Sequence, residues 1–472
     1  MSATTTSAAP PAYAKGFETL SDEVVVDRLP VSGALPAWLA GSLLRTGPAK
    51  FEAGERQMRH WFDGLAMLHR FTFADGAVSY GNRYLRGRTA HAVLDEGRIA
   101  YPEFATDPCR TLFRRVQTLF APTFGDNANV NVMRLGERFV SMTETPISVQ
   151  FDPDTLQAAG VPFMPPGQLT TAHPHLDHDT GGMLNYAAKL GPRNEYRFFA
   201  LGPDDAEPRV LARIPTKNVG YVHSFGLTER WIVLAEFPWA VNPLRMIASG
   251  RPFVENFRWE PERGTRFLLV DRRTGAHGPT FATDPFFAFH HVNGYDDGDD
   301  LVLDISTYAD PSLVQALYLD NLRAGGPVPS SELRRFRLSA ATGDVRHERL
   351  VAEPFELGRI NYGRCNARPY RCAWGVTSGP DTWLDGIVKA DVEERATTVW
   401  REAGRFPGEP VFAARPGAED EDDGVLLSVV LDADRGSSFL LVLDAADLSE
   451  VARAEVPHHI PFSFHGQFAA RR

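Results

Sequence analysis

"LVLDAADLSE", residues Leu441–Glu450, is a short apolar run that ends at Asp444 and a turn, after which the chain continues. An aspartate can hydrogen-bond its own backbone while small residues close the turn, so this stretch predicts a β-hairpin. The arrangement recurs at irregular intervals in Phe71–Tyr80, Val149–Gln157, Leu268–Ala276 and Phe336–Val345. Repeated short hairpins with few helical segments are typical of a β-propeller that has long insertions between its blades.

The length of the chain supports this interpretation. A chain of 472 residues is too long for one simple core, so it forms either several domains or one large repeated architecture. A β-sandwich is the alternative, but sandwiches of this length usually split into domains joined by linkers. No Pro/Gly/Ser-rich linker follows residue 16. We therefore predict an all-β chain with a disordered lead-in over residues 1–16 and a single propeller domain over residues 17–472.

Charge and composition exclude several functional classes. The net charge of -11 argues against a nucleic-acid partner, because binding phosphates needs a basic surface. The sequence contains no run of 18 apolar residues, so no transmembrane helix is predicted. The N-terminus lacks the apolar core of a signal peptide. The cysteines Cys109, Cys365 and Cys372 are too few for a disulfide framework and match no zinc spacing. These features favour the cytoplasm.

One segment departs from the hairpin pattern. Asp107–Phe124 places apolar residues at helical spacing, with Arg114 and Arg115 on the other side. Two interpretations stay open at this point. The segment Leu112–Phe124 either packs in the core or makes a peripheral membrane contact, with apolar side chains in the lipid and arginines at the phosphates.

The histidines are the candidate metal-binding residues. Seven of the 14 histidines fall into four groups separated by tens to hundreds of residues, so they do not form one local chelating motif. In a propeller the inner strands of all blades meet at the axis, and distant histidines can meet there. Four neutral imidazoles form a site suited to Fe, Zn, Cu or Ni. The groups are His173, His175 and His178; His223; His290 and His291; and His465.

Three glutamates stand in apolar, strand-like surroundings: Glu144, Glu356 and Glu409. An unpaired carboxylate is costly in such a place, so each needs a partner. A histidine N–H is a suitable one, because metal-binding imidazoles are commonly oriented by carboxylates behind them. The alternative for each glutamate is a charge at the edge of a sheet. The residues by themselves therefore indicate a metal-centred propeller.

The order of the motifs resembles the carotenoid cleavage oxygenase family, which includes β-carotene-cleaving enzymes and a retinoid isomerase. The resemblance covers the chain from about residue 16 and includes "RTGPAKF", "HWFDGLAMLHRF", "DPCRTLF", "AHPH", "YVHSFGLTE", "FHHVNGYDD", "ELGRINY" and "FHGQF". It implies a seven-bladed propeller capped by a dome of helices and loops. It also implies a ferrous ion, Fe(2+), on the axis, held by four histidines without a carboxylate ligand.

The resemblance assigns roles residue by residue. The metal ligands that it implies are His173, His223, His290 and His465. The carboxylates implied behind three of these ligands are Glu144, Glu356 and Glu409, which leaves His173 without one. The remaining members of the histidine groups have no counterpart in the family and are predicted to be structural: His175, His178 and His291.

The implied activity is a non-haem iron dioxygenase that splits one C=C bond of a carotenoid or apocarotenoid into carbonyl products, retinal-type products among them. Four histidines leave two octahedral positions open, one of them for O2. Tyr221 and Phe104 match family positions near the reacting carbons, where aromatic faces stabilise positive charge on the polyene. Thr143 matches the residue that shapes the open iron position.

Three alternatives are weighed against this activity. Stilbene-cleaving members carry a lysine directly before the glutamate, where this chain has Thr143, so an apolar polyene is favoured over a hydroxystilbene. A retinoid isomerase stays open, because "YVHSFGLTE" and "DPCRTLF" are similar to that branch. A propeller that only binds partners is disfavoured by the complete set of histidines and glutamates.

Overall fold

The computed structural model describes residues 9–108, 124–379 and 382–471. Within these ranges the chain forms seven antiparallel sheets of four to six strands, which we number as blades 1 to 7. The innermost strands of several neighbouring blades contact one another, as expected around a common axis. The all-β prediction is confirmed.

The first four blades follow one another along the chain. Blade 1 consists of Asn131–Leu135, Arg138–Met142, Val149–Phe151 and Ala158–Gly160. Blade 2 consists of Leu169–Thr170, His175–Leu176, Met183–Lys189, Asn194–Leu201 and Arg209–Thr216. Blade 3 consists of Gly226–Leu227, Trp231–Glu236, Thr265–Asp271 and His277–Thr283. Blade 4 consists of Phe287–Asp297, Asp300–Tyr308, Glu332–Leu338 and Val345–Arg349.

Blade 5 also follows in chain order, whereas blades 6 and 7 combine strands from both ends of the chain. Blade 5 consists of Glu356–Arg359, Cys372–Thr377, Gly386–Asp391 and Ala396–Arg401. Blade 6 consists of Arg405–Pro407, Val411–Ala414, Gly424–Asp432, Ser437–Asp444, Glu450–Glu455 and Val31–Gly33. Blade 7 consists of Gly466–Ala470, Gly41–Lys50, Leu65–Ala74, Ala77–Tyr84 and Val25–Val26.

All five predicted hairpins join consecutive strands of a blade. Their turns use the predicted chemistry: the Asp271 carboxylate accepts a hydrogen bond from the backbone N–H of Thr274, and Asp444 accepts one from Ala446. Strand burial follows position in the blade. Gly424–Asp432, in the middle of blade 6, is buried at every position, whereas the outer strand Glu450–Glu455 alternates. A strand covered on both faces has no polar side to alternate with.

The ring is closed by two pairings between the ends of the chain. The C-terminal strand Gly466–Ala470 pairs antiparallel with Gly41–Lys50, and Arg45 lies opposite Gly466. Val31–Gly33 pairs in turn with Glu450–Glu455, so that an N-terminal strand completes blade 6. Each end of the chain therefore holds the other in place.

Helices and small sheets lie in the connections between strands, and several cover one end of the axis. The α-helices are Arg88–Leu94, Pro243–Ser249, Ser312–Ala316, Leu319–Ala324 and Tyr362–Cys365. The 3-10 helices are Ala12–Phe17, Trp61–Asp63, Phe253–Asn256 and Pro261–Arg263. The small sheets pair Glu52–Ala53 with Arg56–Gln57, and Trp239–Val241 with Val219–Gly220 and Arg258–Trp259. No helix in the described part of the chain is long and apolar enough to span a bilayer.

The predicted lead-in over residues 1–16 overlaps with ordered structure. Ala12–Phe17 forms a 3-10 helix, and Tyr13 within it is buried with its ring 5.7 Å from the ring of Phe406. A single buried tyrosine in a polar stretch gives no periodic signal, so the sequence does not predict this helix. Both domain boundaries stay predictions. Of the proposed membrane segment Leu112–Phe124, only Phe124 lies within the described residues.

Gly466→Ala should weaken the pairing that closes the ring. A Cβ at this position would lie 2.5 Å from Cγ of Arg45 and 2.7 Å from the carbonyl oxygen of Leu44. Overpacking of this kind costs about 1–3 kcal/mol. Thermal unfolding followed by circular dichroism should show a lower midpoint for the variant. Gly191→Ala is the matched control, because no atom lies within 4 Å of its Cβ position. Equal midpoints for the two variants would contradict this role of Gly466.

Candidate metal centre

Four blades each bring one of the predicted imidazoles to the axis. His290 lies on the innermost strand of blade 4, and His173 lies between the two short inner strands of blade 2. His223 and His465 lie one to three residues before the innermost strands of blades 3 and 7. Strands that meet at the axis thus gather side chains that are up to hundreds of residues apart in sequence, as predicted.

The ring nitrogens of the four histidines form one compact group, all within 4.8 Å of one another. Nε2 of His173 lies 3.0 Å from Nε2 of His223, and Nε2 of His290 lies 3.1 Å from Nε2 of His465. Metal–imidazole bonds of about 2.1 Å at right angles would place neighbouring nitrogens roughly 3.0 Å apart, as seen here. The arrangement fits a metal ion.

Three carboxylates fix the other side of three of these rings. Glu144 Oε1 lies 2.6 Å from Nδ1 of His223, Glu356 Oε2 lies 2.5 Å from Nδ1 of His290, and Glu409 Oε1 lies 2.7 Å from Nδ1 of His465. A carboxylate can only accept, so Nδ1 donates and Nε2 carries the lone pair. In the pair His290–His465 two lone pairs therefore point at each other across 3.1 Å. A cation between them would relieve this repulsion.

The fourth ring is held differently. Among the described residues no carboxylate hydrogen-bonds to His173. Its backbone N–H donates to Oγ1 of Thr171 at 3.0 Å, and the hydroxyl of Thr171 donates to the carbonyl of His223. The Thr171 side chain therefore ties these two histidines together through the backbone.

Burial sets the charge state of the rings. It lowers the pKa of His173 and of His465 well below the usual value, and the neighbouring imidazoles lower both further. Burial also lowers the pKa of His223, against the opposing effect of Glu144. Neutral rings are the form that binds a metal.

The carboxylate behind His465 has the most elaborate support. Glu409 is fully buried, and so is Arg45, whose Nη1 lies 3.4 Å from Oε2 of Glu409. Arg359 Nε lies 2.9 Å from Oε1, and the backbone N–H of Gly466 donates to Oε2 at 2.9 Å. Arg45 also donates to the carbonyl of Phe464 at 2.9 Å. Neither arginine was predicted from the sequence, although Arg45 opens the motif "RTGPAKF".

The remaining histidines of the groups bond elsewhere. Nε2 of His175 lies 2.9 Å from the carbonyl oxygen of Phe225, and Nδ1 of His291 lies 2.9 Å from Oγ of Ser224. His178 lies at the limit of hydrogen-bond distance from Asn366. None of these three rings belongs to the four-imidazole group. A structural role remains the prediction for each.

Comparisons with known proteins agree with this geometry. Residues 17–470 match the family described as retinal pigment epithelial membrane protein. A mitochondrial carotenoid-cleaving dioxygenase of Macaca fascicularis is 34% identical, covering 93% of this chain and 91% of the relative. The β,β-carotene 15,15'-dioxygenase of Mus musculus is 33% identical, covering 93% and 88%.

Solved structures give the same result. A mutant of the Synechocystis apocarotenoid oxygenase superposes with a TM-score of 0.88 at 25% identity, covering 98% of both chains. A cobalt-substituted form of that oxygenase superposes with a TM-score of 0.87 at 25% identity, again covering 98% of both. The chain belongs to this family of carotenoid oxygenases. The predicted family and the predicted propeller are confirmed.

In this carotenoid oxygenase three of the four imidazoles, those of His223, His290 and His465, line a cavity of about 610 Å³. Thr143 and Phe104 line it, as does the segment around Phe253. Several aromatic residues that line the cavity were not predicted from the sequence: Trp61, Phe62, Phe289, Trp383 and Phe464. Two of these carried a usable signal, because Phe289 and Phe464 directly precede His290 and His465 in the sequence.

Tyr221 is placed differently from the other predicted contacts. Its hydroxyl donates to Glu144 at 2.8 Å, and its ring is stacked near that of His223 with centroids 6.5 Å apart. Residues two apart on an extended segment point the same way, so both reach the same carboxylate. Tyr221 faces a small void beside Glu144, whereas the large cavity is lined by Phe104. Its position near the reacting carbons stays a prediction.

Alanine substitution should separate the four axial histidines from their neighbours. His173→Ala, His223→Ala, His290→Ala and His465→Ala should each lose divalent metal, because three imidazoles leave another position unfilled. His175→Ala and His291→Ala should keep it. Metal content per folded chain, measured by inductively coupled plasma mass spectrometry, is the readout. If His291→Ala lost metal while His290→Ala kept it, the assignment within "FHH" would be wrong.

Proposed function

We propose that this carotenoid oxygenase is a ferrous-iron dioxygenase that splits one C=C bond of a carotenoid or apocarotenoid into two carbonyl products. The observation that carries the proposal is the four-imidazole group, three of whose members line a cavity that also contains several aromatic side chains. Relatives named as carotenoid-cleaving dioxygenases support it.

The donor set favours iron over harder cations. Four neutral nitrogen donors suit Fe, Zn, Cu or Ni, whereas magnesium and calcium prefer oxygen. His173, His223, His290 and His465 would hold the ion, and the carboxylates behind three of them keep Nδ1 protonated and Nε2 directed inward. When bound, a ferrous ion would supply the activation of O2.

The cavity walls would place the polyene. Phe62 lies between Phe104 and Phe289, with ring centroids 5.1 and 5.7 Å away. Such faces exclude water and stabilise positive charge that develops on a conjugated chain. Thr143 directly precedes Glu144 and lines the cavity with it, so its small side chain leaves the space beside the imidazoles open.

Product analysis tests the proposed activity. The iron-loaded protein should convert β-carotene or an apocarotenal into aldehydes, while resveratrol should remain intact because Thr143 stands where stilbene-cleaving members have lysine. Mass spectrometry identifies the products, and protein stripped of iron is the control. Efficient cleavage of resveratrol without any cleavage of polyenes would contradict the proposal. Isomerisation of a retinyl ester without cleavage would favour the isomerase instead.

We also propose that the segment Leu112–Phe124 makes a peripheral membrane contact through which the apolar substrate enters. Pro108 and Phe124, which flank the undescribed residues 109–123, both line the cavity. The cavity therefore lies beside both ends of a segment that is rich in phenylalanine and arginine. Apolar insertion has to dominate this contact, because the net charge of -11 disfavours attraction to anionic lipid.

Replacing Phe113 and Phe120 together with serine should release the protein from liposomes and slow the cleavage of carotenoid embedded in them. Cleavage of the same carotenoid dispersed in detergent should change little. Sedimentation with vesicles and the two cleavage rates are the measurements. A double variant that no longer folds, or a wild type that never sediments with vesicles, would mean that the segment is part of the core.

We retain the cytoplasm as the proposed location and residues 17–472 as one proposed domain. The described cysteines Cys365 and Cys372 are unpaired and buried, as suits a reducing compartment. The single domain is supported by the shared strands of blades 6 and 7, which join both ends of the chain. Fractionation of cells that express the chain would test the location, and limited proteolysis would test the domain.

A further inference from the structure

The carboxyl group of Glu103, which lies in the cavity wall, has no part in the metal centre. Glu144 and Glu356 line the cavity and are engaged by His223 and His290. Glu103 also lines it, but from the connection after blade 7, directly before Phe104. Its surroundings decide what it can do.

Glu103 is fixed by an amide that is itself fixed. Its Oε2 accepts a hydrogen bond from Nδ2 of Asn127 at 3.2 Å. The same Nδ2 donates to the carbonyl of Gly64 at 3.1 Å, while Oδ1 of Asn127 accepts from the backbone N–H of Ala66 at 2.8 Å. Asn127 is buried, and it lines the cavity beside Glu103. The carboxyl group is therefore held in one orientation.

No cation neutralises this carboxyl group. Among the described residues Glu103 forms no ion pair with lysine, arginine or histidine, and its Oε1 has no hydrogen bond within them. Burial raises the pKa of Glu103 well above its usual value, and the carboxylate of Asp63 raises it further. This shift favours the protonated form, in which the carboxyl group presents a donor as well as an acceptor to the cavity.

A polar group that faces a cavity loses its contact with water when a substrate fills the cavity, which is costly unless the group is then hydrogen-bonded. A hydrocarbon polyene offers nothing to it. A substrate with a hydroxyl or carbonyl group at one end can accept from the protonated carboxyl group, and a hydroxyl can also donate to it. The wall is therefore better matched to an oxygen-bearing end group than to a plain hydrocarbon ring.

We propose that Glu103 is a specificity-determining residue that hydrogen-bonds the oxygen of the substrate's end group, so that oxygen-bearing carotenoids or apocarotenoids are preferred over hydrocarbon carotenes. This inference rests on the proposed function of the cavity. It adds the class of substrate that the cavity selects.

A matched pair of substrates tests the inference: β-carotene and its 3,3'-dihydroxy derivative. Glu103→Leu should lower kcat/KM for the dihydroxy compound roughly 10-fold, about the value of one hydrogen bond. For β-carotene the change should stay within about twofold, because no polar contact is lost. Glu103→Gln, which keeps a donor and the acceptor for Asn127, should restore most of the loss. Glu207→Leu, at an exposed site in blade 2's outer connection, is the control.

A second readout does not depend on turnover. The dihydroxy compound should bind the metal-free protein more weakly when Glu103 is leucine, as measured by quenching of tryptophan fluorescence, while β-carotene should bind equally well. If Glu103→Leu kept a normal unfolding midpoint but lost affinity and activity equally for both compounds, Glu103 would only hold Asn127 in place. That result would overturn the inference. Unchanged values for both would also overturn it. If the wild type cleaved neither compound, the proposed function would fail, and the binding comparison alone would decide the role of Glu103.

Discussion

The pairing of Gly466–Ala470 with Gly41–Lys50 is the constraint on which the rest of the structure depends. It joins the last strand of the chain to one of the first and so closes the ring of blades. It also sets the position of His465, which directly precedes the pairing and whose backbone N–H donates to the carbonyl of Val130, the residue before blade 1. A ring that closed with a slipped register would move His465 away from the axis, because a slip of one residue reverses the side chains of a strand. Closure of the ring and the placement of His465 therefore depend on the same strand pairing.

The same pairing explains why the buried charges cluster behind His465. Arg45 lies opposite Gly466 in the ladder, and its guanidinium lies against Glu409. Removing charges from water is costly, and a buried pair repays that cost only with good geometry and further hydrogen bonds. Here Arg45 also donates to the carbonyl of Phe464 and to Oγ of Ser463 at 3.2 Å, so the ends of the closing strand and the carboxylate are held together. The other two carboxylates rely on neutral donors: Glu144 on the hydroxyl of Tyr221, and Glu356 on the backbone N–H of Leu357.

The parts of the molecule that could be predicted are those with local or repeated signals. Hairpins repeat, so the blades could be recognised from Asp444 and its equivalents. The histidines and glutamates could be paired because a carboxylate in an apolar run needs a partner, and the resemblance then chose His290 over His291. Arg45 and Glu103 could not be assigned, because their meaning depends on which distant residues fold against them. The cavity is likewise lined by connections that are far apart in sequence. No motif therefore predicts which residues line it, or that the hydroxyl of Tyr221 reaches Glu144.

The number of blades bears on how the site is supported. Each blade brings one of the seven groups to the axis: blades 2, 3, 4 and 7 bring the histidines, and blades 1, 5 and 6 bring the glutamates. Because each of the seven blades contributes one group, and four of them contribute an imidazole, only three blades contribute a carboxylate. The ring left without one is His173, which is instead tied to His223 through Thr171. The four rings are therefore held in two ways, three of them by carboxylates and the fourth through a threonine hydroxyl and the backbone.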